Sequence, residues 1–351
     1  MKKNLQHIDE IRFLIIHLIL VNHSMLSFAL IRNKVDQTLI GFWFEFTSPI
    51  LAMISGYLFF YGSESHFGFM DKVRRRIPSL IVPYVIWSLG FFVIYYLLKE
   101  VATNFFHYHL WYEDVKPLTL GNALYSLVTP PLVNFWYLQN LILIIPFNII
   151  FYYLLKNRAV SIIFFLAILF IFAYNPFSIY FQPRFLPFYL MGCYFGYHEV
   201  HLPKYESVIQ FVRLRTSVLM SVIWVPLILF ISLETGFIEY DGIMRILLKI
   251  VIVLFLLIFI YNVLDADRSS YVFRYLKKYK PYSFFLFAIH TFIFTLVQRS
   301  LFKLFENQFI NKYFTLAFSL FTVLIVLVIS LSIGVFVKKR WPEFFGIITG
   351  R

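Results

Sequence analysis

The sequence predicts an all-α fold, a polytopic transmembrane helical bundle of about ten spans with both termini in the cytoplasm. Three observations lead there. The 351 residues are 60% hydrophobic and 14% charged, against roughly 25% charged in a soluble domain. That excludes a soluble enzyme, and the mean hydropathy of +0.77 excludes a disordered chain. The apolar runs are continuous, as in Val251–Ile260 and Val323–Ile329, where the strands of a membrane β-barrel would alternate. Finally, the basic residues fall between the apolar runs, so the net charge of +13 reads as membrane topology and not as a nucleic-acid surface.

Each predicted span needs about 20 apolar residues, or somewhat fewer where neighbouring helices cover its ends. In order they are Phe13–Ile31, Leu39–Tyr61, Leu80–Leu98, Phe135–Leu155, Ser161–Tyr174, Phe185–Tyr197, Ser217–Leu233, Ile246–Val263, Phe284–Phe302 and Phe314–Val337. The fifth and sixth are short and flank Asn175–Pro176 and Gln182–Pro183. With Met1 inside, most of the 31 Lys and Arg residues lie on the inner side, including Lys72, Arg74, Arg75, Arg76, Lys277, Lys278, Lys280, Lys338, Lys339 and Arg340. The first span is longer than a signal-peptide core and is broken by His17, Asn22 and His23, so it reads as retained. The segment Lys99–Asn134 forms the one long outer connection, dense in aromatic residues and suited either to the interfacial belt or to sugar stacking. Without an internal repeat, residues 1–351 read as a single integral-membrane domain. Cys193 is the sole cysteine, so no disulfide forms within the chain, and no Cys/His spacing implies a metal site.

Ionisable groups inside spans are costly and therefore candidates for function. Arg12 and His23 are eleven positions apart, three turns plus about 20° on an ideal helix, and so share a face about 16.5 Å apart along the axis. His17 points about 140° away from Arg12. Glu45, in the outer part of the second span, stands at a depth from which a carboxylate can orient the His23 imidazole. Arg74, Arg75 and Arg76 with Lys72 make an inner basic run that serves topology or holds phosphates. His290 lies in the ninth span, behind Tyr282 and Ser283, as a buried structural histidine or a proton carrier.

These features, in this order, resemble the acyltransferase 3 family of polytopic bacterial membrane O-acyltransferases that modify surface glycans. The resemblance rests on Arg12 and His23 with ten residues between them, and on Ala52–Leu58 with its Ser55–Gly56 pair. It also rests on the arginine run before Leu80–Trp87, on Phe135–Leu138, on Tyr189–Gly192 and on Lys280–His290. Ala52, Tyr57 and Tyr189 stand where that family usually has Phe, and Ala288 departs from the usual run before the histidine.

The family resemblance implies transfer of an acyl group, most often acetyl, from cytoplasmic acyl-CoA to a hydroxyl of an envelope or exported polysaccharide. Acyl-CoA would be a substrate and no cofactor would be permanently bound. His23, Glu45 and His290 would be catalytic. Arg12, Arg74, Arg75 and Arg76 would engage the CoA phosphates, and Ser55, Trp136 and Tyr282 would contact substrate. The partners implied are the glycan acceptor, membrane lipid and, as an assembly, a homo-oligomer or a polysaccharide-synthesis complex in the bacterial cytoplasmic membrane, with no nucleic acid. Two other functions fit a basic polytopic chain. One is an exporter or flippase of a lipid-linked sugar or exopolysaccharide, which would show inverted repeats and broken helices. The other is a structural subunit of a synthase, which would tolerate substitution of Arg12 and His23.

Overall fold

The computed structural model describes residues 7–27, 46–63, 66–106, 116–130, 132–174, 185–200, 243–266, 271–305 and 312–351. All regular structure among them is helical. The helices are α1 (Ile8–Ser27), α2 (Thr47–Phe60), α3 (His66–Arg76), α4 (Val82–Phe106), α5 (Leu120–Val128), α6 (Trp136–Ile144) and α7 (Asn148–Leu155). They continue as α8 (Arg158–Tyr174), α9 (Leu186–Tyr197), α10 (Ile243–Ala266), α11 (Tyr271–Tyr279), α12 (Ser283–Phe305), α13 (Lys312–Arg340) and α14 (Pro342–Thr349).

Among the described residues, three helical stretches are long and apolar enough to cross a membrane, Gly68–Val101, Tyr271–Val297 and Phe318–Arg340. A fourth is formed if α6 and α7, bent by 60°, count as one. Of the expected spans, Ser217–Leu233 lies outside the described residues, as do Glu45 and the His107–Asp114 stretch of the long connection.

Four departures from the sequence expectation have physical causes. The arginine run is helical and not a loop: α3 passes through a π-turn at Ile77–Ile81 straight into α4. Pro78 has no amide hydrogen to give the preceding turn, and the wider turn accommodates it. The expected span Phe135–Leu155 bends at Ile145–Phe147, around Pro146, for the same reason. Part of the long connection forms α5, begun by Thr119, whose hydroxyl accepts from the Asn122 amide at 3.3 Å. The tail beyond the last span also folds. After Trp341, α14 turns back on α4, and the Trp87 indole N–H donates to the Ile348 carbonyl at 2.9 Å. Gly350 closes α14 at φ 69°, against the backbone of Ser79 where a Cβ would overlap the carbonyl.

The tightest packing joins α2 to α9. Gly192 faces the Met53 carbonyl, Gly196 the Tyr57 carbonyl, and Gly56 the Tyr189 carbonyl; a Cβ at any of the three would overlap backbone. Four-residue spacing of Gly192 and Gly196 puts both on one face, which lets two helices approach to backbone contact where lipid offers no hydrophobic drive for association. The core continues from this seam through Phe59, Phe60, Phe69 and Tyr152, the last two stacked at 4.7 Å. Helix α1 lies against α2, α12 and α13. It is anchored at its start by a Lys280 to Glu10 ion pair at 2.9 Å, with Glu10 buried, and further along by the Ser24 hydroxyl donating to the Ser319 carbonyl at 2.8 Å.

Gly192→Val and Gly196→Val will each force α2 and α9 apart, costing about 1–3 kcal/mol or more. Thermal unfolding in detergent will read this as a lowered midpoint, while Gly90→Ala, at a glycine with open space around its Cα, will match the unsubstituted protein.

Candidate functional site

Helix α1 carries both halves of the site, because its 3.6-residue repeat brings Arg12 and His23 to one face. At the Arg12 end an open cleft holds about 800 Å³ of empty volume. Its wall brings Arg12 and Ile16 of α1 together with Ser55 and Phe59 of α2, Arg76 at the end of α3, and Ser79 of the π-turn. The opposite wall is Tyr137 and Leu141 of α6, Asn148 of α7, Tyr189 of α9, and Ser283 and Phe287 of α12. Among the described residues no carboxylate lines it. The Arg76 guanidinium sits 5.2 Å from the centre of the Phe59 ring, and Arg12 and Arg76 repel one another across the cleft. Arg12 also has Asp9 at 3.7 Å, but both side chains are well exposed, so that pair is weak. Two cations with no carboxylate among the described lining residues give the cleft a positive lining that suits an anion. Arg is the side chain best matched to phosphate oxygens there.

Hydroxyl and amide groups complete the polar lining. The Ser55 and Tyr137 hydroxyls are 2.9 Å apart. The Tyr189 hydroxyl donates to the Asn148 Oδ1 at 3.1 Å.

Farther along α1, the His23 ring lies 5.3 Å from that of His290, centre to centre. His290 is fully buried, and its Nδ1–H donates to the carbonyls of Phe287 at 2.8 Å and Leu286 at 3.1 Å. Carbonyls only accept, so the Nδ1 of His290 carries its proton and the Nε2 of the neutral ring is the acceptor, with the Thr291 hydroxyl at 3.3 Å. Asn134 holds the same turn of α12, its Nδ2 donating to the Phe287 carbonyl at 2.6 Å. Phe287 stands between the two halves of the site, 6.2 Å from Tyr137 in the cleft and 6.0 Å from His290 beyond it. The histidine pair therefore lies beyond the cleft, about one turn past Phe287 on α12 and about two turns past Ile16 on α1.

The residues singled out in the sequence divide accordingly. Arg12, Arg76 and Ser55 meet in the cleft, and His23 and His290 meet in the pair. Arg74 and Arg75 are exposed on α3, with Arg75 2.6 Å from Asp71, and they do not line the cleft. One helix face cannot turn three consecutive residues the same way, so only Arg76 points in. Trp136 packs edge-on against Tyr137 at 6.0 Å, and Tyr282 against Phe345 at 5.6 Å; neither lines the cleft. Glu45 lies outside the described residues. His17 faces away from the cleft, its Nδ1–H donating to the Phe13 carbonyl at 2.7 Å and its Nε2 accepting from Tyr275 at 3.0 Å. Tyr137, Asn148, Tyr189 and Asn134 escaped sequence reasoning. Asn134 and Asn148 did leave a signal, since each is a polar residue set in an apolar run. The two tyrosines lay inside the motifs Phe135–Leu138 and Tyr189–Gly192, which marked the family but gave neither hydroxyl a role.

Residues 5–337 match the acyltransferase domain that defines the acyltransferase 3 family. A stretch of 102 residues is 26% identical to the succinoglycan biosynthesis protein ExoH of Rhizobium meliloti (strain 1021). It covers 29% of this chain and 28% of that protein's length. No solved structure matches. With the family matched over nearly its whole length, the chain belongs to the acyltransferase 3 family of membrane acyltransferases.

Proposed function

We propose that the protein is an O-acyltransferase that moves an acyl group, most often acetyl, from cytoplasmic acyl-CoA to a hydroxyl of an envelope or exported polysaccharide. The observation that supports this best is the pairing of an arginine cleft, lined by no carboxylate among the described residues, with a histidine pair beyond it, about one turn past Phe287 on α12 and about two turns past Ile16 on α1. A donor with phosphates at one end and a thioester at the other needs this layout. The name of the matched relative, a succinoglycan biosynthesis protein, supports a glycan as acceptor.

In this reading about ten spans cross the bacterial cytoplasmic membrane with both termini inside. The convergence of basic residues at the cleft end supports that orientation: Arg12, Arg76, Lys280 beside Glu10, Lys338 over the Tyr282 ring at 5.3 Å, and Arg351, which interacts electrostatically with Arg12 and Asp9. Arg12 and Arg76 hold the phosphates of acyl-CoA. The arm of the donor passes the Ser55 and Tyr137 hydroxyls and Phe287. His23 takes the proton of the acceptor hydroxyl as its oxygen attacks the thioester carbonyl. The carbon–sulfur bond then breaks, and the proton passes from His23 to the departing thiolate. His290, its tautomer held by two carbonyls, positions His23 through the ring contact. Glu45 is a second orienting group in this scheme.

The test is transfer from radiolabelled acetyl-CoA to envelope glycans by protein in liposomes. His23→Ala will lower the rate by at least about 100-fold with insertion and folding intact, the usual contribution of a general base. Transfer at the original rate in that variant would overturn the scheme. Arg76→Ala will raise the KM for acyl-CoA by about tenfold, the worth of one charged hydrogen bond. Arg75→Ala, on the outer face of α3, will leave KM within about twofold, as expected of an exposed ion pair.

A further inference from the structure

One polar group in the cleft has no partner. Asn148 opens α7 immediately after the bend at Pro146, and its side chain is fully buried in the cleft wall. The Tyr189 hydroxyl occupies Oδ1 and so fixes the plane of the amide. The Nδ2 donor makes no hydrogen bond among the described residues. Buried amide donors are paired almost without exception, because each gives up its water on folding. Arg76 is near enough to act electrostatically on the same Tyr189 hydroxyl. A neutral double donor and two guanidiniums thus serve one cleft from three helices, α1, α3 and α7, and among the described residues no carboxylate lines it to absorb them.

We infer that Asn148 is a ligand-binding residue, whose Nδ2 completes with Arg12 and Arg76 a three-point subsite for a phosphate or pyrophosphate group. Tyr189 is its positioning residue. Within the proposed function that group is the phosphate end of acyl-CoA, and to that extent the inference rests on that reading. The subsite itself requires only a phosphoryl oxyanion, whether on CoA or on free pyrophosphate.

The experiment measures binding of CoA and, separately, of inorganic pyrophosphate to the purified full-length protein in detergent. The unsubstituted protein, Asn148→Ala, Asn148→Asp and Tyr189→Phe are compared, each with its unliganded melting temperature recorded. Asn148→Ala should weaken both ligands about tenfold, the loss of one charge-assisted hydrogen bond. Asn148→Asp, nearly the same shape with a negative charge facing the phosphate, should weaken them further. Tyr189→Phe leaves Asn148 in place but frees its amide to turn, and should fall between Asn148→Ala and the unsubstituted protein. It also serves as the test if the Asn148 variants do not fold. Pyrophosphate binding that depends on Asn148 without any CoA binding keeps the subsite and removes acyl-CoA as donor. Equal pyrophosphate binding by all folded variants overturns the subsite, as does no binding of either ligand by the unsubstituted protein.

Discussion

The backbone contact between α2 and α9 is the constraint from which the rest of the cleft follows. Gly56, Gly192 and Gly196 remove every side chain that would hold the two helices apart, and the carbonyls of Met53, Tyr57 and Tyr189 fill the space. Ser55 precedes Gly56, and Tyr189 is three residues before Gly192, so the close approach decides where both polar groups emerge. They emerge into the cleft, Ser55 toward Tyr137 and Tyr189 toward Asn148. A wider seam would separate them and admit lipid between α2 and α9. Membrane helices gain little from burying apolar surface against one another, so close packing of small residues has to supply the association.

Two prolines shape other parts of the cleft lining. Pro146 bends the α6–α7 pair by 60° and turns Asn148 inward, and Pro78 sits in the π-turn that joins the arginine helix to α4. Each interrupts a helix where the freed backbone can be satisfied by neighbours, the only place a membrane protein tolerates such breaks. The folded-back α14 braces the second interruption, with Gly350 against Ser79 and Ile348 held by Trp87. The cleft is therefore framed by breaks in helices, while the histidine pair is held on two unbroken ones, α1 and α12. That division suits a donor-binding mouth joined to a rigid reacting centre.

The spacing of Arg12 and His23 was legible because a single helix determines it: eleven residues return to the same face whatever surrounds them. The all-helical class was legible for a similarly local reason, since long continuous apolar runs with little charge have few ways to satisfy their backbone in a membrane. The contribution of Arg76 alone from its run of three was not legible. It depends on the rotation of α3 about its axis, which is set by the π-turn and by the Phe59 ring on a different helix.

The sequence by itself determined an apolar helical chain with its basic residues set between the apolar runs and an arginine and a histidine on one helix face. It also displayed the ordered motifs of the acyltransferase 3 family. Only the tertiary structure decided that His290 is the ring that meets His23, with its proton held on Nδ1, and that Asn148 and Tyr189 share the arginine cleft. It also decided that Trp136 and Tyr282 pack beside the cleft and do not line it. The reason is physical: a helix repeat fixes relations within a segment, whereas contacts between residues far apart in sequence depend on how closely helices approach and how far each is turned. Those two quantities are set jointly by many side chains, and here by three glycines and two prolines above all.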